Sequence, residues 1–484
     1  MKIKSNTIVN YIYNTIYQLL NIFLPLITAP YISRVLGANG IGIYAYTFSI
    51  ASYYVLIEML GVRNYGSRCI AMCQGDKKKL GVNFINIYFI QLCLSIAIFV
   101  VYLMYSICFA KYKSFAILQS YYVLSGLFDI SWFFFGLEKF KMTTIRSCVV
   151  KIISVICIFV FVRDISDVNV YIAIISISML ATQMSVWPFL KQEIELCKPS
   201  WKELKKHILP NLILFIPVIA ISLYKIMDKI MIGKLSTMAQ SGFYENSEKI
   251  VSIPMSLITS LGTVMLPRMS NIIASGNTEK GKDVIRKSMI FVSFIGIAMV
   301  FGLMGISKCF IPWFYGNEFI PCIEITFILS PTIIFICWAN VIRTQYLLPN
   351  KLDKSYIVTV FLGAAVNFVL NYILIPRYGA YGAAIGTLVA EIVVALMQTI
   401  YVIKFLPIVE YLKDGTPFAL IGIFMFYIVN FIENMLNISY FGRICIEIVV
   451  GASVYCFLSA LYIKFMKKEL YINIVSLLKK PKKI

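Results

Sequence analysis

Charged side chains inside long apolar stretches are the residues of this sequence best suited to chemistry. The stretch from 208 to 234 contains Lys225, Asp228 and Lys229. Lys225 and Lys229 are four residues apart and would share one face of a helix, and Asp228 lies one turn from Lys225. If this stretch crosses a membrane, each charge is costly unless it is paired or lines a hydrated cavity. A cavity with several lysines would suit an anionic ligand, since an ammonium group on a flexible stem can bind a phosphate and release it again.

Further charges in the neighbouring apolar stretches extend this candidate cavity: Arg34, Glu245, Glu248, Lys249 and Arg268. For any one of them, snorkelling or a neutralising ion pair is as good an interpretation as a functional role. The group of Lys225, Asp228, Lys229 and Lys249 favours the cavity, because three lysines within spans fall on two adjacent helices.

Three carboxylates within the spans are candidates for binding a coupling ion, either a proton or sodium. Asp228 stands beside Lys229, so we expect it to be a fixed ion-pair partner. Asp129 has no basic residue within a helical turn and is the preferred candidate for titration, with Glu58 as a second. We expect no metal ligands and no catalytic residues.

Membrane-spanning helices must position these charges. A spanning helix needs about 20 apolar residues, and 60% of the 484 residues are hydrophobic. We predict an all-α integral membrane protein with about fourteen spans, at 8–36, 40–62, 83–107, 114–136, 144–163, 168–190, 208–234, 239–270, 288–313, 321–346, 355–375, 379–403, 416–436 and 443–465.

Lysine and arginine collect on alternate connections between these spans. With both chain ends in the cytoplasm, the inner segments carry 33 and the outer segments 8 of the 44 lysines and arginines. This bias follows the positive-inside rule. The net charge of +21 is therefore explained by topology and by contact with anionic membrane lipids, and we expect no nucleic-acid partner.

The two halves of the chain share a pattern about 200 residues apart. Pro25 and Pro30 interrupt the first predicted span, and Pro210 and Pro217 interrupt the seventh. Six spans separate the two, so the halves would be parallel repeats, and transporters built in this way have their substrate path at interrupted helices. We predict an N-terminal lobe at 1–200, a C-terminal lobe at 201–404, and two further helices with a basic tail at 405–484.

Signatures of catalysis or of nucleotide binding are missing from the sequence. There is no GxSxG or HExxH motif, and the segment from Gly276 to Lys282 has Asp283 where a phosphate-binding loop needs Ser or Thr. We therefore expect no cofactor and no enzymatic activity. A membrane polymerase or acyltransferase would need a large outer loop or a catalytic His/Asp constellation, and the sequence contains neither.

Five segments resemble the Wzx-type flippases of polysaccharide repeat units, a branch of the multidrug/oligosaccharidyl-lipid/polysaccharide exporter superfamily. They are Pro30–Gly37 (PYISRVLG), Gly61–Gly66 (GVRNYG), Asp129–Phe140 (DISWFFFGLEKF), Asp228–Gly233 (DKIMIG) and Ile375–Ala384 (IPRYGAYGAA). The resemblance implies two six-helix lobes arranged in a V, with two C-terminal helices and alternating access. It also favours Arg34, Asp129, Asp228 and Lys229 as functional positions.

The resemblance implies a specific ligand and location. The ligand would be an undecaprenyl-diphosphate-linked oligosaccharide, flipped from the inner to the outer leaflet of the bacterial cytoplasmic membrane for capsule, exopolysaccharide or O-antigen assembly. A polysaccharide polymerase and a chain-length regulator would then be partners. Two alternatives share the fold: a flippase for a peptidoglycan or teichoic-type precursor, and a cation-coupled multidrug exporter.

The loop charges predict the outcome of cysteine labelling. In a background without the native cysteines, a membrane-impermeant maleimide should reach single cysteines placed near Lys111 and Asp164 from outside the cell. It should miss those near Lys78, Lys202 and Lys282 until the membrane is opened. Labelling of residues 77–79 or 202–206 in intact cells would overturn the predicted orientation.

Overall fold

A computed structural model describes residues 5–195, 197–435 and 438–466, and nearly all of them are helical. Side chains are described from residue 24 onward, except at 140, 141, 224, 225, 434 and 466. These ranges contain no strand, which confirms the predicted all-α class. Their helices are α1 (Ser5–Met59), α2 (Val62–Met72), α3 (Lys77–Met104), α4 (Lys113–Phe128), α5 (Ser131–Gly136), α6 (Phe140–Phe161), α7 (Val168–Met184), α8 (Trp201–Leu235), α9 (Met238–Ala274), α10 (Thr278–Tyr315), α11 (Cys322–Leu329), α12 (Thr332–Ile342), α13 (Asp353–Tyr378), α14 (Ala380–Val402), α15 (Ile408–Met435) and α16 (Tyr440–Met466).

Twelve helical segments within the described ranges are long and apolar enough to cross a membrane. Two local features account for the difference from the fourteen predicted spans. The first two predicted spans are helices on either side of a break at Gly37, and because the break is a single residue they count together as α1. The fourth is cut at Asp129, so that α4 has only 16 residues, short of the 17 or so that a spanning helix needs.

The bend in α1 falls on Gly37, whose φ of 66° and ψ of 178° lie outside the helical region. A positive φ is strained for residues with a side chain, which is why glycine stands here. The predicted separation between the first two spans is therefore a single-residue kink. Pro25 and Pro30 lie inside α1, and Pro210 and Pro217 lie inside α8, as the sequence pattern predicts.

The predicted inner loops at 191–207 and 271–287 are shorter in the structure, because the helices extend past the apolar stretches. α8 already begins at Trp201, and only three residues separate α9 from α10. The side chain of Asn277 caps α10 by accepting a hydrogen bond from the Lys280 backbone N–H at 3.0 Å. Asp76 caps α3 in the same way, and its bond from the Lys79 backbone N–H holds the pKa of that carboxyl below its usual range.

The chain forms two compact units. The first comprises Met1–Glu245 with Asn371–Ala380, and the second comprises Asn246–Leu370 with Tyr381–Ile484. The lobes predicted from the sequence repeat, with boundaries at residues 200 and 404, stay a prediction.

Each unit has its own buried core. In the first unit the core is aromatic where Phe84 of α3 packs against Trp132 and Phe133 of α5, with ring centroids 5.6 and 5.1 Å away. In the second unit α15 and α16 pack on α10, and Phe418 and Tyr455 are both buried there. The last two predicted spans are thus part of the core of the second unit.

Two glycines allow α1 and α9 to meet backbone to backbone inside the first unit. A Cβ added at Gly42 would lie 1.7 Å from the Met238 carbonyl oxygen, and one added at Gly242 would lie 2.0 Å from that of Ala38. No real side chain tolerates such distances, so the crossing depends on both glycines.

We expect Gly42→Ala to destabilise the protein by about 1–3 kcal/mol, because the added methyl group forces the two helices apart. The measurement is the thermal unfolding midpoint of the purified protein in detergent. Gly302→Ala is the matched control, since no described heavy atom lies within 4 Å of its added Cβ. An alanine at a helical glycine with free space should leave the midpoint unchanged or raise it. Equal midpoints for the two variants would contradict the tight crossing.

Candidate functional site

Asp129 lies where α4 gives way to α5. Its carboxylate accepts hydrogen bonds from the backbone N–H of Ser131 at 3.0 Å and from the Ser131 hydroxyl. An aspartate that bonds to the backbone two residues further on forms a turn in place of the next helical turn. Arg63 of α2 reaches the same carboxylate, with 3.0 Å from Nη2 to Oδ2. Asp129 has no basic residue within a helical turn, as the sequence analysis states, but its basic partner comes from 66 residues away in the sequence.

Gln91 of α3 satisfies the backbone groups that this break releases. Its Nε2 donates to the carbonyl oxygens of Gly126 at 2.8 Å and of Asp129 at 2.9 Å. Its Oε1 accepts from the indole N–H of Trp132 at 3.1 Å. Gln91 is completely buried, so the break in the helix depends on this one amide side chain.

Glu58, near the end of α1, packs against the same turn. It is completely buried, and neither carboxylate oxygen has a hydrogen-bond partner within the described part of the chain. A Cβ added at Gly126 would lie 2.0 Å from Oε2 of Glu58. Glycine at 126 therefore makes room for the Glu58 carboxyl group.

A second polar cluster surrounds Asp228 of α8. The hydroxyl of Tyr244 donates to Oδ2 and the side-chain amide of Asn371 donates to Oδ1, both at 2.6 Å. Asp228 is 2% exposed. The partners come from α9 and α13, so this carboxylate joins three helices of the first unit.

Lys229 forms an ion pair with Glu245 of α9, with 2.7 Å from Nζ to Oε2. We expected Asp228 to be the ion-pair partner of Lys229. Adjacent residues on a helix point in different directions, so Asp228 reaches Tyr244 and Asn371 while Lys229 reaches Glu245.

The other predicted site residues differ in how far their side chains are exposed. Arg34 is exposed on α1 in the first unit. In the second unit Glu248 and Lys249 are half-buried and Arg268 is exposed, all three on α9. The side chain of Lys225 lies outside the described residues.

Uncharged polar residues are the part of the site that the sequence analysis missed. Gln91, Tyr244 and Asn371 are buried and contact the predicted acidic residues or their backbone. An amide inside a predicted span would have been a usable signal, because such a group also needs a hydrogen-bond partner in the membrane.

A chain of membrane-spanning helices with buried charges held in polar clusters is a multi-pass membrane protein of the transporter type. Its family follows from the sequence. Residues 8–273, more than half of the chain, match the model of the polysaccharide biosynthesis protein family. The chain belongs to this family, and the resemblance to the Wzx-type flippases is confirmed.

Two known proteins are similar over most of the chain. The "Putative O-antigen transporter" of Escherichia coli (strain K12) is 24% identical over 401 residues, which cover 81% of this chain and 96% of the relative. The solved structure described as "Lipid II flippase MurJ, inward closed conformation" superposes with a TM-score of 0.72 at 16% identity, covering 94% of this chain and 99% of that one. The second likeness shows the fold alone.

Proposed function

We propose that the protein is a flippase for undecaprenyl-diphosphate-linked oligosaccharide repeat units. It would move them by alternating access from the inner to the outer leaflet of the cytoplasmic membrane, with both chain ends in the cytoplasm. The observation that carries the proposal is the family match, together with the similarity of four fifths of the chain to an O-antigen transporter. A polysaccharide polymerase acting on the flipped unit is the partner that this role requires.

The charge of the ligand explains why lysines lie at membrane depth. A diphosphate cannot cross hydrocarbon unaided, so the head group needs a hydrated, positively charged path while the polyprenyl chain stays in lipid. Lys229 retains partial exposure, with 17% of its side chain accessible. A phosphate that reaches it would compete with Glu245 for the ammonium group, and the return of Glu245 would help to release the phosphate.

Complementation of a deletion strain tests both the flippase role and the part played by the lysines of α8. In a deletion strain, one completed lipid-linked repeat unit should accumulate on the cytoplasmic side, and the wild-type gene should restore surface polysaccharide. The double variant Lys225→Ala/Lys229→Ala should restore at least about tenfold less, at equal protein in the membrane, because even one charge-assisted contact contributes about 1.5–3 kcal/mol.

Lys413→Ala is the control, since Lys413 is an exposed residue of α15 far along the chain from the cluster. If the deletion strain accumulates a peptidoglycan or teichoic-type precursor instead, that precursor is the substrate and the proposed repeat unit is not. Loss of drug resistance with normal polysaccharide would indicate an exporter instead. Full surface polysaccharide from the double variant would refute the cationic path.

Glu58 is the better of the two carboxylates for ion coupling. An ionised carboxylate buried without a donor is costly, whereas that of Asp129 is stabilised by Arg63 and Ser131. Glu58 would therefore take up a proton in this conformation and release it in one that admits water to the end of α1.

We expect Glu58→Gln to fold normally and to lose the dependence of flipping on a pH gradient in reconstituted vesicles. Asp129→Asn should chiefly lower thermal stability, because it weakens the contact with Arg63. Glu279→Gln, at a side chain 82% exposed, is the control and should flip as the wild type does. If wild-type flipping ignores the gradient, Glu58 has a structural role only and substrate supply drives transport.

A further inference from the structure

A cavity of about 540 Å³ opens within the first compact unit, away from the lysines of α8. Its lining comes from α2, α5, α6 and α7, at the ends of these helices that the loop charges assign to the cytoplasm. The volume is in the range of small-molecule sites, about 300 to 1,000 Å³.

Hydroxyl oxygens that act as acceptors line this cavity. Ser67, Ser147 and Thr182 each donate their proton to a carbonyl oxygen of the backbone at 2.7 to 2.9 Å. The hydroxyl of Ser131 donates to Asp129. A hydroxyl has one proton and two lone pairs, so these four groups offer lone pairs to a ligand. The Asp129 carboxylate, also in the lining, is an acceptor as well.

Two arginines supply the charged donors, and both are held in place. Nη2 of Arg63 lies 3.0 Å from Oδ2 of Asp129. Arg146 donates from Nε to the Met142 carbonyl at 2.9 Å and from Nη1 to the Ser185 hydroxyl at 3.1 Å. Because Asp129 offsets one of the two positive charges, the charged lining is only weakly cationic.

This arrangement of donors and acceptors suits a sugar ring of the proposed substrate better than its diphosphate. A diphosphate has only acceptor oxygens: it could use the arginines and the amides of Asn64 and Gln183, but it would leave the lone pairs of the four hydroxyls unmatched and would be repelled by the Asp129 carboxylate. A sugar ring carries several O–H donors, each with an acceptor oxygen for the arginines. Phe135, also in the lining and 37% exposed, offers an aromatic ring on which the apolar face of a sugar can rest.

We propose that this cavity binds a sugar ring of the lipid-linked glycan on the cytoplasmic side, and so contributes to the choice of repeat unit. The inference rests on the proposed function for the source of the sugar, while the binding itself follows from the cavity. The diphosphate would be bound elsewhere, along α8.

Saturation-transfer NMR on the purified full-length protein tests the proposal directly. The probes are the methyl glycosides of glucose, galactose, N-acetylglucosamine and rhamnose, with inorganic pyrophosphate as competitor. At least one glycoside should bind saturably in the millimolar range, and an equal concentration of pyrophosphate should not displace it. Thr182→Val and Ser147→Ala should each weaken this binding about fivefold, as expected for one lost hydrogen bond.

Thr416→Val is the matched control. Thr416 donates to the carbonyl four residues earlier at 2.7 Å, as Thr182 does, but it is exposed on α15. Its variant should bind as the wild type does. The proposal is overturned if no glycoside binds, if pyrophosphate displaces the glycoside, or if the two cavity variants bind like the control.

Failure of the sugar-binding proposal can be told apart from failure of the proposed flippase function. Glycoside binding is measured on protein that need not flip anything, whereas the flippase role is tested by the lipid-linked intermediates of the deletion strain. If the deletion strain accumulates its repeat unit but no glycoside binds, only the cavity assignment fails. If glycosides bind and flipping is unaffected by the deletion, only the flippase role fails.

Discussion

Hydrocarbon contains no hydrogen-bond donors or acceptors, so every polar group within a membrane must find its partner in the protein. This constraint explains the break between α4 and α5. The turn at Asp129 releases backbone carbonyls, and Gln91 binds two of them with one amide group. The arginine on Asp129 and the indole on Gln91 complete a network that holds four helices together. Loss of that amide would leave buried acceptors without partners.

The same constraint makes Glu58 exceptional among the buried carboxylates of the first unit. Asp129 and Asp228 each have close donors that satisfy their charge. Glu58 packs against Gly126 at the edge of the Asp129 network and has no donor among the described residues. A carboxyl group that lacks a donor among the described residues, while Asp129 and Asp228 have theirs, suits the proposed role in which its protonation changes.

The first unit contains two polar regions of different chemistry, the cluster around Asp228 and Lys229 and the cavity lined by α2, α5, α6 and α7. The proposed substrate also has two chemically different parts, a diphosphate and a glycan. Lys229 of α8 is paired to the Glu245 carboxylate. The cavity between α2, α5, α6 and α7 offers hydroxyl acceptors and a carboxylate beside its two arginines, a mixture of acceptors and donors. Separate binding of a diphosphate and a sugar would allow one transporter to be strict about the glycan while treating the carrier lipid as constant.

The sequence by itself determined the helical class, the approximate position of most spans, and which charges fall inside apolar stretches, because hydrophobic stretch length and loop charge are local properties of the chain. It did not determine that the single residue Gly37 separates the first two spans, because a glycine can either end a helix or be accommodated within one. Nor could it assign partners. Arg63 and Asp129 are 66 residues apart, and Asn371 and Asp228 are 143 apart. Contacts of this kind arise only when helices pack side by side, so the tertiary structure alone decided that Lys229 pairs with Glu245 and that Glu58 has no donor among the residues the structure describes.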